Sequence, residues 1–211
     1  MPPAHSNTAA RAFLWVGLPL ITVLAALSLF VGVSSLSPAA LWAEGMSGRS
    51  AQILFAARLP RTLALMLAGA GMAMAGLVMQ ILVRNRFVEP STVGTTEAAG
   101  LGILLVMLFV PDLPVFARML VAAVSGLAGT ALFLAVLRAV PLRSTLMVPL
   151  IGILLSGVIG AVSTFIAYRY DFLQSLTAWM QGDFSIILRG RYEMLWLALA
   201  MLVALYFAAD R

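Results

Sequence analysis

The sequence lacks two residue types on which many functional sites depend. Its 211 residues include no cysteine, so neither a disulfide nor a thiolate metal site can form. All 13 basic residues are arginine, and without lysine the chain cannot build the phosphate-binding loop that places a lysine on a nucleotide. If ATP drives this protein, we expect a separate subunit to bind it.

Groups that could carry catalysis are also scarce. His5, in the N-terminal tail, is the only histidine, and the aspartates fall in predicted loops or at helix ends. No His/Glu cluster has the spacing of metal ligands, and no nucleophile has a base beside it. We therefore predict that the chain is not an enzyme, that it has no metal site and that it needs no cofactor.

One acid, Glu97, lies close to a predicted membrane span. Such an acid could mark a proton or ion path. It could also stabilise a helix N-terminus, with Thr95 or Thr96 as the N-cap. The sequence favours the cap, because a proton-coupled carrier needs charges placed deeper in its spans.

Charged residues make up only 10% of the chain, whereas 63% of its residues are hydrophobic and the mean hydropathy is +1.06. This composition indicates an all-α integral membrane protein, a polytopic helical bundle. About 20 apolar residues cross a bilayer. Six segments are long or apolar enough to do so, although the third is short: residues 12–33, 62–83, 97–110, 115–140, 146–168 and 192–208.

The N-terminal apolar run is too long for a cleavable signal peptide, so we predict a retained first helix. We treat residues 1–211 as one transmembrane domain. The arginines are scattered and form no basic run, which gives no indication of nucleic-acid binding. They also divide almost evenly between alternate loops, so charge bias does not orient the chain.

Small residues recur at helical spacing in the predicted spans, which lets helix backbones approach closely. In the fourth span the repeat is Ala122, Gly126 and Thr130. In the fifth it comprises Gly152, Ser156, Gly160 and Thr164. Packing inside the protein is one interpretation; a substrate path is the other, and it is most plausible for the fifth span because that face carries hydroxyls.

Three collinear stretches resemble a known family. They are RLPRTLALMLAGAGMAMAGLVMQILVRNRFVEPSTVG (residues 58–94), RSTLMVPLIGILLSG (143–157) and LTAWMQGDFS (176–185). Together they resemble the permeases of iron-siderophore and cobalamin ABC importers. In the first stretch this chain has Arg86, Phe87 and Val88 where that family usually has Pro-Leu-Ala, a variant similar to the siderophore branch.

The resemblance implies a subunit that imports a ferric siderophore, with the catecholate type favoured, across the bacterial inner membrane. Haem or cobalamin import is the alternative, and an ion-coupled secondary transporter is a more distant one. The implied partners are ATP-binding cassette subunits, a periplasmic or lipoprotein substrate-binding protein, a second permease copy or related permease, and membrane lipid. The family has about ten spans, so this chain resembles its N-terminal part.

The resemblance also implies roles for individual residues. It places the N-terminus inside, so residues 84–94 form a cytoplasmic turn. Gate roles at the inner end of the pathway then fall on Asn85, Phe87, Ser144 and Thr145. On the outer side, Arg58 and Arg61 at the start of the second helix would dock acidic residues of the binding protein, because the planar guanidinium meets a carboxylate with two hydrogen bonds.

Overall fold

The computed structural model describes residues 5–31, 37–45, 47–141 and 145–182, with isolated positions from 196 to 207. Within these residues every regular element is helical. In chain order they are α1 (His5–Phe30), α2 (Pro38–Glu44), α3 (Arg49–Ile53), a π-helical turn (Leu54–Arg58), α4 (Leu59–Val83), a 3-10 turn (Pro90–Val93), α5 (Thr95–Phe109), α6 (Val115–Ala139), α7 (Met147–Arg169) and α8 (Leu173–Gln181).

The helices confirm the predicted all-α membrane architecture. Three helical segments of the described chain are long and apolar enough to cross a bilayer: Arg49–Val83, Val115–Ala139 and Met147–Arg169. Two shorter apolar helices, Leu14–Phe30 and Thr95–Phe109, match the first and third predicted spans. The sixth predicted span, residues 192–208, lies mostly outside the described residues.

The chain folds as two compact units. Described residues up to Ala68 belong to the first unit, and those from Gly69 to Gly182 belong to the second. Helix α4 contributes residues to both units. Each unit is described by itself below.

In the first unit, the second spanning helix begins earlier than predicted. We expected it to start near Thr62, but the chain is helical from Arg49 through the π-helical turn into α4. Pro60 does not interrupt this helix, although it has no N–H to donate and its ring crowds the carbonyl of residue 56. The turn widens, and Leu59 N–H bonds to the Leu54 carbonyl five residues back.

Polar bonds join α1 to this widened turn. The Arg58 guanidinium donates a hydrogen bond to the Val31 carbonyl at the end of α1. The hydroxyls of Ser28 and Thr62 lie 3.3 Å apart and share a hydrogen bond. Because both bonds are partly buried, they hold α1 against the start of α4 with little competition from solvent.

The second unit is built around α5, which packs against α6, α7 and α8. A buried apolar cluster at one end of the unit comprises Met79, Val88, Val93, Phe133 and Val148. A second cluster comprises Leu104, Ala167 and Leu176. Leu176 belongs to α8, which was not predicted: the sequence analysis placed no helix between the predicted spans 146–168 and 192–208.

The outward faces of the helices remain strongly apolar. Val124 and Leu127 on α6 are 65% and 69% exposed, and Phe165 on α7 is 70% exposed. In water such a surface would aggregate. In hydrocarbon it needs no further partner, so this surface agrees with the predicted membrane location.

Candidate functional site

The polar segment between α4 and α5 begins with a sharp exit from α4. Arg84 adopts a left-handed backbone conformation, with φ of 53°. Its N–H bonds to the Ile81 carbonyl, and the N–H of Asn85 reaches the Gln80 carbonyl at 3.1 Å. These bonds close the helix end and turn the next side chain inward.

Asn85 is the side chain that this turn buries. It is only 6% exposed, and both polar atoms of its amide form hydrogen bonds. Nδ2 donates to the Thr145 carbonyl at 2.6 Å, while Oδ1 accepts from the Phe87 N–H at 2.9 Å. The side chain therefore ties the α4–α5 connection to the α6–α7 connection, two segments far apart in sequence.

The other predicted gate residues lie around this bond. Thr145 contributes its carbonyl, and its side chain is exposed. Phe87 is 51% exposed, with the Arg86 guanidinium 5.2 Å from its ring centroid. Ser144 lies outside the described residues. The structure thus brings Asn85 and Thr145 together and leaves Phe87 at the surface beside them.

The 3-10 turn after Asn85 satisfies most of its polar groups locally. The Thr92 hydroxyl accepts from the Glu89 N–H at 3.1 Å, and the Ser91 hydroxyl donates to Glu89 Oε1 at 2.7 Å. Val88 and Val93, on either side of these groups, are fully buried. Since its own side chains supply the hydrogen bonds, this irregular backbone can sit inside an apolar bundle.

The backbone of this turn lies directly against the backbone of α7 at Gly152. A Cβ added at Gly152 would collide with the Thr92 carbonyl oxygen. Gly94 follows with φ of 84°, the left-handed region in which glycine is favoured, and it serves as the N-cap of α5. The predicted N-cap, Thr95 or Thr96, is therefore wrong: both lie inside the helix, because Gly94 makes the turn.

The close approach sets the depth at which α5 begins. The Thr95 hydroxyl lies 2.8 Å from that of Thr130, with which it shares a hydrogen bond. Thr130 is about 14 Å from the Ala139 end of α6, at 1.5 Å per residue. Helix α5 thus starts well inside the bundle, which explains why the third apolar segment is short.

The small-residue face predicted on the fifth span divides into two parts. Gly152 is buried against the 3-10 turn, and Ser156 lies beside Gly94. Further along, Gly160 faces Glu97, whose Cγ would be 3.7 Å from an added Cβ, and Thr164 is exposed to a cavity. The first part is packing, whereas the second part borders open space.

This cavity has a volume of about 260 Å³. Helices α5, α7 and α8 supply its lining, which includes Glu97, Ser163, Thr164, Thr177, Met180 and Gln181. Glu97 Oε2 is buried and, among the described residues, has no hydrogen-bond partner. From the sequence, an ion path was one interpretation of Glu97, but the helix-stabilising role was favoured. Thr177 and Gln181 were missed because they belong to α8, which was not predicted.

The two arginines predicted to dock a binding protein differ in their surroundings. Arg58 is 7% exposed and bonds to the Val31 carbonyl, whereas Arg61 is exposed. Both border a cavity of about 330 Å³ in the first unit, together with Ser28 and Thr62. They lie within a continuous helix rather than at its start.

The contact at Gly152 gives a first prediction. Gly152→Ala should lower the free energy of unfolding by roughly 1–3 kcal/mol, because the new methyl group must displace the Thr92 carbonyl. Gly157→Ala on the same helix is the matched control, since a Cβ there meets nothing within 4 Å. Unfolding in mixed micelles measures both; equal stability of the two variants would contradict the packing.

The amide of Asn85 gives a second prediction. Asn85→Asp keeps the acceptor for the Phe87 N–H but replaces the donor to the Thr145 carbonyl with an anionic oxygen. We expect the variant to lose about 1–3 kcal/mol of stability. Glu89→Gln, at an exposed position of the same turn, is the control. Denaturant unfolding in mixed micelles measures both variants. If Asn85→Asp unfolds at the same denaturant midpoint as the wild type, the bond to the Thr145 carbonyl does not stabilise the fold.

Comparisons with known proteins confirm the family resemblance seen in the sequence. Residues 20–211 match the FecCD transport family. The petrobactin import system permease protein YclN of Bacillus subtilis is 42% identical over 192 residues, covering 91% of this chain and 60% of that protein. The ferric-anguibactin transport system permease protein FatD of Vibrio anguillarum is 40% identical over 158 residues, 75% of this chain and 50% of that protein.

A vitamin B12 import system permease, BtuC of Vibrio vulnificus, is 33% identical and covers 85% of this chain and 54% of that protein. A solved structure described as an inward-facing conformation of a metal-chelate type ABC transporter superposes with a TM-score of 0.69 at 26% identity, over 90% of this chain and 59% of that one. The chain therefore spans at most about three fifths of the length of these relatives.

Proposed function

Because the chain belongs to the FecCD transport family, we propose that it forms part of the membrane-spanning permease of a binding-protein-dependent importer. A separate ATPase subunit powers the importer, and the permease works in the bacterial inner membrane as one domain paired with a second permease copy or a related chain. The structural observation that carries the proposal is the irregular segment 84–94, which buries Asn85, Val88 and Val93 among the helices. Such backbone occurs at membrane depth where it is enclosed by protein or lines a watery path.

The cargo we propose is a ferric siderophore. The relatives named for petrobactin and ferric anguibactin are 42% and 40% identical to the chain, against 33% for the vitamin B12 permease of Vibrio vulnificus. A catecholate siderophore remains our preferred type on the sequence resemblance. Haem and cobalamin are the alternatives within the same family.

The proposed mechanism uses two states of the inner gate. ATP binding and hydrolysis in the partner shift the population between inward-open and outward-open forms. Asn85 links the two connections that border the gate, so this hydrogen bond holds them together in one state and must lengthen or exchange its partner in the other. Phe87, half exposed beside it, adds bulk at the constriction.

Uptake measurements test the proposed function. A strain lacking this gene should fail to take up a radiolabelled ferric siderophore, and the wild-type gene should restore uptake. A partner ATPase whose phosphate-binding lysine is replaced by alanine is the matched control and should abolish uptake. Uptake that collapses with the proton gradient and needs no ATPase would contradict an ATP-driven importer. Uptake restricted to haem or cobalamin would contradict the cargo.

The docking role of the arginines gives a further prediction. Arg61 is exposed and can meet an acidic residue of the binding protein, so Arg61→Glu should weaken docking about tenfold, equivalent to roughly 1.4 kcal/mol. Arg58 is buried, so Arg58→Glu should mainly destabilise the folded protein. Binding-protein affinity and stimulated ATP hydrolysis distinguish these effects.

The control for the docking experiment is Arg169→Glu, which reverses another exposed charge on the proposed outer side. It should leave docking within about twofold of wild type, since Arg169 is not one of the two arginines assigned to the docking surface. Reversing the partner's acidic residue to arginine should rescue Arg61→Glu. Wild-type docking by Arg61→Glu would refute the proposed role of Arg61.

A further inference from the structure

The cavity between α5, α7 and α8 has a largely apolar wall that carries a few polar side chains. Its charged group is Glu97, whose Oε2 is buried and has no hydrogen-bond partner among the described residues. The Ser163 hydroxyl donates to the Ile159 carbonyl at 2.9 Å, and that of Thr177 donates to the Leu173 carbonyl at 2.8 Å. With their protons engaged, both hydroxyls can only accept within the cavity.

The end of α8 adds to this acceptor character. Gln181 closes the helix and lines the cavity, and Gly182 follows in the left-handed conformation with φ of 65°. The last carbonyls of a helix have no partner within that helix and carry the negative end of its dipole. Carboxylate, hydroxyl oxygens and helix C-terminus therefore all favour a positive charge in this cavity.

The position of the cavity makes an unpaired carboxylate costly. Gly160, which faces Glu97, lies about 20 Å from the Met147 end of α7 and about 14 Å from Arg169, at 1.5 Å per residue. An ionised acid at such depth is expensive unless it is compensated. The N-terminal turn of α5, in which Glu97 lies, supplies part of that compensation.

We propose that this cavity binds a monovalent cation, with the Glu97 carboxylate as its charged ligand and the Ser163 and Thr177 hydroxyls as neutral oxygen ligands. The single carboxylate favours one positive charge, because divalent ions are usually held by more acidic groups. Within the described residues there is no group of three His, Cys, Asp or Glu that could hold such an ion. At about 260 Å³, the cavity admits an ion with part of its hydration shell.

Cation binding would stabilise the folded chain, and this gives the test. The purified full-length protein in nanodiscs is unfolded by heat while choline chloride is replaced by sodium, potassium or ammonium chloride at constant ionic strength. A ligand that binds only the folded state raises the midpoint. We expect at least one of these ions to raise it by about 2 °C or more in the wild type. The ion that does so identifies the cation.

Two variants locate the effect. Glu97→Gln should abolish the rise, whereas Asp112→Asn, which neutralises an exposed acid in the α5–α6 loop, should retain it. If Glu97→Gln does not fold, Thr177→Val provides the test. Valine has nearly the same shape as threonine but lacks the acceptor oxygen. We therefore expect the cation concentration that gives half of the maximal stabilisation to rise several-fold.

Two results would overturn the proposal: no ion-specific stabilisation of the wild type, or equal stabilisation of Glu97→Gln. Thr177→Val with an unchanged half-maximal concentration would also contradict the ligand set. The measurement uses neither cargo nor ATPase. Its failure therefore leaves the import proposal standing, and failure of siderophore uptake leaves the cation site standing.

Discussion

The second unit depends on a contact between two backbones, where the Thr92 carbonyl lies against Gly152 of α7 in the space that a side chain would fill. Because no Cβ separates them, the 3-10 turn lies deep against α7, and Gly94 directs the chain into α5 at the level of Thr130. The depth of α5 in turn places Glu97 opposite Gly160, at the cavity bounded by α8. A larger residue at position 152 would move all of these groups together.

The polar residues of segment 84–94 make this re-entrant path possible. Membrane interiors offer no hydrogen bonds to irregular backbone, so the segment uses its own side chains and the neighbouring connection. The Asn85 amide bonds to the Thr145 carbonyl, and the Thr92 hydroxyl accepts a hydrogen bond from the Glu89 N–H within the turn. The same groups that stabilise the fold also form the border of the proposed gate. If the proposed gate operates there, a modest rearrangement of hydrogen bonds would change access without unpacking Val88 and Val93.

Much of the helical architecture could be predicted from apolar runs, because length and composition suffice to identify spans. The site was harder to predict. The motif match identified Asn85 and Thr145, yet their direct contact needed the fold. Glu97 was recognised, but its cavity was not, since α8 has the mixed polarity of a loop and becomes helical by packing Leu176 on α5 and α7. The second span starts earlier in the chain than predicted, because a π-helical turn lets the helix continue through Pro60.

The depth at which α5 begins is the claim on which the gate and the cavity both rest, and disulfide formation tests it directly. The chain has no cysteine of its own, so Thr95→Cys combined with Thr130→Cys gives a clean background. With the native hydroxyls 2.8 Å apart, mild oxidation should cross-link the pair rapidly within one chain. If both cysteines react with maleimide but form no intramolecular disulfide, α5 does not start beside the middle of α6 and the account is wrong.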